Sequence, residues 1–275
     1  MTTTPTGPEP LDARSVLLTD RVAVVTGAAA GLGRATASLF ARFGATLAIC
    51  DREPVGLAEV ADEITAAGRP VLGRELDVRD ADAVGAFVAD VAAAHGHVDV
   101  LVNNAGGTFF APFLDVSSGG EAALVAENFT QVTRLVRAIV PLVPDAGGAI
   151  VNVTSIEAHQ AAPGFAVYGA MKAALAQLTR TLALELAPRR IRVNAIAPDA
   201  IPTDGDDELQ GSMATTGTAY EPAVLPPLGY FGSSDDAAAA ALFLATDLSR
   251  FVTGTTIHVD GGNWAAGGWR RTAGS

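Results

Sequence analysis

With one cysteine, Cys50, in 275 residues, the chain cannot form an internal disulfide, and its thiol content gives no sign of an oxidising compartment. Positive charge is also scarce. The formal net charge is -12, and basic residues gather only at Arg189-Arg190-Ile191-Arg192 and Arg270-Arg271. Such a chain repels phosphodiester backbones and anionic headgroups, so neither nucleic acid nor a membrane surface is an expected partner. Long apolar runs are missing. The longest, Ala237 to Ala245, is too short to span a bilayer and follows Asp235-Asp236, which reads as a helix start. Met1 to Pro10, rich in Thr and Pro, has no basic stretch followed by an apolar one, so it reads as neither signal nor transit peptide, and the expected location is cytoplasmic.

What the chain does have is apolar residues, 49% against 17% charged, enough for a large interior. Its length suits one α/β core with tails. Seven Val-, Ile- and Leu-rich runs read as strands: 21–26, 46–50, 71–76, 98–102, 149–154, 191–196 and 256–259. Ala-rich amphipathic segments separate them, with stop signals at Gly44, at Gly68 before Pro70, and at Gly96. Strands apolar on both faces and alternating with helices predict a doubly wound α/β Rossmann fold: a single parallel sheet of about seven strands, helices on both faces, ligands at the carboxyl ends of the strands. By this reading residues 1–18 are a flexible tail, 19–262 a single domain of this type and 263–275 a second tail. Residues 199–234 are too long for a plain connection and read as a substrate-covering loop.

The first strand runs into Thr26-Gly27-Ala28-Ala29-Ala30-Gly31-Leu32-Gly33 and then a helix over 34–43. Glycines at such a turn let backbone N–H groups approach a pyrophosphate, whose charge is favoured at a helix N-terminus. Asp51, eighteen residues past Gly33, ends the second strand where a carboxylate would accept hydrogen bonds from the adenosine ribose. That points to NAD(H) rather than NADP(H), with Arg34 and Arg52 as the side chains that could bend toward an extra phosphate.

Lys172 is the only lysine among eighteen lysine and arginine residues, and it lies four positions after Tyr168. On a helix the two share a face. A phenol ordinarily titrates near pH ~10, and a fixed ammonium beside it favours the phenolate. The compact point charge of lysine suits that task better than the forked guanidinium of arginine, in a chain that otherwise uses arginine throughout.

Five signatures together resemble the classical short-chain dehydrogenases/reductases, from about Leu18 to Gly262: Thr26-Gly27-x-x-x-Gly31-x-Gly33; Asp77-Val78; Asn103-Asn104-Ala105-Gly106; Ser155 with Tyr168-x-x-x-Lys172; and Asn194-Ala195-Ile196-Ala197-Pro198. The resemblance implies that Tyr168 is the general acid/base, that Lys172 lowers its pKa and holds the nicotinamide ribose, and that Ser155 binds the reacting oxygen. It implies that Asn128 anchors a proton-relaying water. It further implies that Asp77 and Val78 contact adenine, that Asn103, Ala105 and Gly106 pass beneath the riboses, and that Leu32, Pro198, Ile201 and Thr203 complete the cofactor site. No metal ligands are implied. The family usually has glycine where this chain has Asp199, so the loop toward Ile201 and Thr203 is expected to start differently.

Candidate pocket walls are 107–113 with Phe109, Phe110 and Phe113, residues 156–165, and the 199–234 loop with Met213, Tyr220, Leu225, Leu228, Tyr230 and Phe231. They suit a hydrophobic secondary alcohol or ketone such as a terpenoid, steroid or aromatic compound. Glu157 and His159 are placed near the mouth, where they would orient a polar group. Two alternatives stand beside this reading: an NADPH-dependent 3-oxoacyl-(acyl-carrier-protein) reductase, for which Arg134, Arg137 and Arg180 would supply the basic docking patch, and a dinucleotide-sensing regulator without turnover. Family members are commonly homotetramers, and the tail from Asn263 with Trp264 and Trp269 is a candidate for subunit packing.

Overall fold

The computed structural model describes residues 10–203 and 225–267. A single sheet of seven strands has the order β3-β2-β1-β4-β5-β6-β7. The strands are β1 (Val22–Thr26), β2 (Thr46–Asp51), β3 (Val71–Glu75), β4 (Val100–Asn103), β5 (Gly148–Val153), β6 (Ile191–Pro198) and β7 (Thr256–Val259), all paired parallel. The strands read from the sequence are these seven, with ends displaced by at most two residues.

Alternation along each strand sorts side chains onto two faces. Ala23, Val25, Leu47, Ile49, Val100, Val102 and Val151 enter one core. There they meet α1 (Gly31–Arg42), α2 (Pro54–Ala66) and α7 (Ser234–Ala245) through Phe40, Val60 and Leu244. Val24, Ala48, Leu101, Ile150 and Val193 enter the other, facing α3 (Ala81–His95), α5 (Gln131–Ile139) and α6 (Ala166–Glu185) through Phe87, Leu135 and Leu175. Burial of a side chain such as Phe40, fully enclosed, is worth about 1.5–3 kcal/mol. Cys50 points into the second core, and burial pushes its thiol far above the usual range.

Helix starts follow their caps. The Asp80 carboxylate accepts from Asp82 N and Ala83 N at the start of α3. Ser233 and Asp236 form a reciprocal box at the start of α7, the helix signalled by Asp235-Asp236. The strand order reverses beside β1, which has β2 on one side and β4 on the other, and this opens a crevice at the carboxyl edge of the sheet.

Within the segment read as an N-terminal tail, Ala13–Val16 form a 3-10 turn and Leu18 is buried, its N–H donating to Phe43 O at 2.8 Å. Composition alone missed this anchor. In the C-terminal segment, Asn263–Ala266 form a short helix, α8.

Candidate active site

A cleft of about 720 Å³ runs along the carboxyl edge from Asp51 to Tyr168. At one end the turn after β1 is closed by its own glycines. Gly27 adopts φ 66°, and a Cβ there would lie 2.8 Å from Ala105 Cα. A Cβ on Gly33 would meet Gly27 O at 1.9 Å, so α1 can approach β1 only with glycine at that position. Asn104 locks the turn, its Nδ2 donating to Thr26 O (2.9 Å) and Gly27 O (3.0 Å). Thr26 Oγ1 in turn accepts from Asn104 N and Ala105 N.

Asp51 sits at the end of β2 and lines the cleft. Its carboxylate accepts from Ala29 N and Glu53 N, both at 3.0 Å, which fixes it beside the turn. Both arginines that could answer a phosphate have carboxylate partners, although Arg52 and its partner Glu127 line the cleft themselves. Arg34 pairs with Glu59 and Glu63 on α2, which raises its pKa, and Arg52 reaches Glu127 at 3.6 Å. Asp77 and Val78 also line the cleft, with Arg79 holding the Asp77 carboxyl below the usual range.

At the other end Ser155, Tyr168 and Lys172 converge. Ser155 follows β5, while Tyr168 and Lys172 lie one helical turn apart on α6, the ammonium 5.5 Å from the Tyr168 ring centre. Lys172 Nζ donates to Val153 O at 2.9 Å. Burial, opposed by the nearby Glu127 and Glu157 carboxylates, brings the lysine pKa down to about 8. Asn128 lies in a π-helical turn, Ala126–Thr130, between α4 (Ser118–Val125) and α5. Its Nδ2 donates to Gly107 O and Leu124 O, while its fully buried Oδ1 has no partner among the described residues. A Cβ on Gly106 would come within 2.9 Å of that oxygen and 3.2 Å of Lys172 Nζ, so the glycine keeps a polar nook open beneath the cleft.

The structure therefore brings Gly27, Gly31, Leu32, Asp51, Asp77, Val78, Ala105, Gly106, Ser155, Tyr168, Lys172, Pro198, Ile201 and Thr203 onto one surface. Three of the sequence-predicted residues lie behind it. Gly33 and Asn128 act at one remove, and the side chain of Asn103 is turned away, its Nδ2 donating to Asn152 Oδ1 at 2.8 Å inside the core. Asp199 is not in the left-handed region, whereas the next residue, Ala200, is (φ 52°), and the Asp199 carboxylate accepts from Asn263 Nδ2 at 2.7 Å.

His159 is not at the mouth. It packs with His258 and Trp264, the latter two stacked at 5.3 Å, whereas Glu157 does line the cleft. Of the proposed aromatic walls, Phe165 and Phe231 line the cleft, Phe110 is buried edge-on against Phe165, and Met213 and Tyr220 lie outside the described residues. Sequence reasoning passed over Gln131, fully buried, whose Nε2 donates to Ala105 O at 2.9 Å. Its place three residues after Asn128 on the same helical face was the available signal.

Residues 27–263 match the family described as Enoyl-(Acyl carrier protein) reductase. The chain belongs to the short-chain dehydrogenases/reductases. Similar members include an uncharacterized oxidoreductase of Mycobacterium tuberculosis, 40% identical over 89% of this chain and 92% of its own. A 3-oxoacyl-(acyl-carrier-protein) reductase of Thermotoga maritima is 37% identical over 89% of this chain and 98% of its own. Among solved structures of the family, carveol dehydrogenase from Mycobacterium avium in complex with NAD superposes with a TM-score of 0.83 at 30% identity, covering 89% of this chain and 97% of that one. The chain is thus an oxidoreductase of this family.

Proposed function

We propose that this protein moves a hydride between NAD(H) and a secondary alcohol or ketone with a largely apolar body. The observation that carries the reading is the pairing of the two cleft ends: Asp51 fixed at one, with Arg34 and Arg52 both drawn to carboxylates, and Ser155, Tyr168 and Lys172 gathered at the other. The open nook over Gly106 and the glycine-lined turn fit a dinucleotide. Asp51 would hold the adenosine ribose, Asp77 and Val78 the adenine, and Lys172 the nicotinamide ribose. Bound there, the nicotinamide supplies the hydride acceptor or donor.

The remaining chemistry belongs to the chain's own side chains. Tyr168 takes the hydroxyl proton in oxidation and returns it in reduction. Lys172, charged below about pH 8, stabilises the phenolate electrostatically. Ser155 holds the reacting oxygen, and the unpartnered Asn128 Oδ1 offers an acceptor for a relaying water. Phe165, Ile201 and Phe231 exclude water around an apolar substrate body. The same reading takes the enzyme to be cytoplasmic and homotetrameric, with exposed Leu184 and Phe251 contributing apolar surface to subunit contacts.

Separate calorimetric titrations of NADH and NADPH, followed by an alcohol screen with the tighter cofactor, test this. Tight NADH and weak NADPH is the expected result. Preference for NADPH would overturn the role of Asp51 and favour the carrier-protein reductase that the Thermotoga relative represents. Against that second reading, Arg134, Arg137 and Arg180 are each held locally, by Arg79 O, Thr133 Oγ1 and Gln177 Oε1.

A further inference from the structure

Glu157 stands two residues after Ser155 in the 3-10 turn Ile156–Ala158 and lines the same cleft as Tyr168. The Ser155 hydroxyl donates to Glu157 Oε2. Among the described residues Glu157 has no ion-pair partner; the charges that act on it are the Asp199 carboxylate, which opposes its ionised form, and the Lys172 ammonium, which favours it. Desolvation, the largest influence, holds the carboxyl above its usual range. Asp199 lines the cleft as well, so this end of it is acceptor-rich, while Phe165 and Phe231 supply apolar wall.

Resting on the NAD-linked alcohol reading above, we propose that Glu157 is a specificity-determining residue that selects secondary alcohols bearing a second hydrogen-bond donor, hydroxyl or ammonium, on the carbon next to the carbinol. A serine hydroxyl has one hydrogen. While Glu157 holds it, Ser155 cannot donate to a reacting oxygen, and a simple alcohol that draws the serine away leaves a half-buried carboxylate with its own backbone N–H alone, which is costly. A vicinal diol or 1,2-amino alcohol removes the conflict. Its two heteroatoms, held gauche, lie about one hydrogen-bond length apart, so both can reach the Ser155 and Glu157 side chains, which are in contact with each other. The neighbouring donor takes the place of the serine on Glu157, and the freed Ser155 hydrogen turns to the reacting oxygen. Oxidation then sends the carbinol C–H hydride to the nicotinamide and the O–H proton to Tyr168, and the product is an α-hydroxy or α-amino ketone.

The test uses matched pairs with NAD+: cyclohexanol against cyclohexane-1,2-diol, and 1-phenylethanol against 1-phenylethane-1,2-diol. The wild-type protein is expected to favour the diol by about tenfold or more in kcat/KM. Glu157→Ala is expected to lower that ratio about tenfold, chiefly because kcat/KM for the simple alcohol rises: with the carboxylate gone, the Ser155 hydrogen is free for either substrate. Glu157→Gln, which preserves shape, is expected to lower it less and serves if the alanine variant does not fold. Turnover of both pairs without diol preference, or a ratio unmoved by either substitution, overturns the role of Glu157 and leaves the alcohol reading intact. Turnover of no member of either pair, by a protein that binds NADH, overturns both.

Discussion

The two ends of the cleft are built on different principles. Around Asp51 and the glycine turn every polar group named above has a partner from the chain: backbone N–H groups for Asp51, Asn104 for the turn carbonyls, Glu59 and Glu63 for Arg34. Around Tyr168 and Lys172 the groups are left unsettled. Among the described residues Asn128 Oδ1 is buried without a partner and Glu157 has no counter-ion, while Lys172 is charged against its desolvation. A part that must hold one cofactor can be finished in advance. A part that must move protons and choose a substrate keeps its polar groups available, at some loss of stability.

The contrast is most sharply broken at the unsettled end. Tyr168→Phe is expected to lower kcat by about 10²–10⁴-fold while NADH affinity measured by calorimetry stays close to wild type. Retained turnover would remove Tyr168 from the chemistry. Lys172→Met should cost activity and yet raise the thermal midpoint at pH 7. Between about pH 8 and its ordinary value of 10.5 the lysine binds fewer protons in the native state than in the unfolded one, so its contribution makes stability rise with pH across that window. The methionine variant should lose that rise, on the order of 3 kcal/mol at most, readable as the difference between the two proteins' unfolding curves at pH 7 and pH 10.

The finished end should respond less and in a different currency. Asp51→Ser is expected to weaken NADH about tenfold and to narrow the gap to NADPH, without lowering kcat at saturating cofactor. Arg34→Ala should do least. Its partners are exposed carboxylates on α2, so stability is expected to move within about 0.5 kcal/mol and the NADH to NADPH ratio not at all. A large change in that ratio would mean that Arg34 leaves Glu59 and Glu63 to meet the cofactor.

How far each end could be read in advance follows the same division. Strand number, parallel pairing and the cleft position of Asp51 were legible because period-2 burial and glycine geometry leave local marks in the chain. Lys172 was legible through its rarity. For Asn103 the motif fixes where the backbone stands but not which way the side chain turns, and here that side chain pairs with Asn152 in the core. His159 misled for a related reason. Its ring found His258 and Trp264, which lie about a hundred residues away in sequence and meet it only through the sheet. Leu18 escaped notice because one buried residue after a Thr- and Pro-rich stretch has no period to betray it.

The solitary lysine has a practical consequence for anyone handling the protein. An amine-directed reagent meets one ε-amino group, and that group lies beneath the cleft, 4% exposed and deprotonating near pH 8. Apart from the α-amino group, every covalent label such a reagent installs reports on Lys172 alone. The rate of acylation at mildly alkaline pH, followed by intact mass, is therefore a count of open clefts, and its suppression by a nucleotide would measure occupancy without any substrate being known.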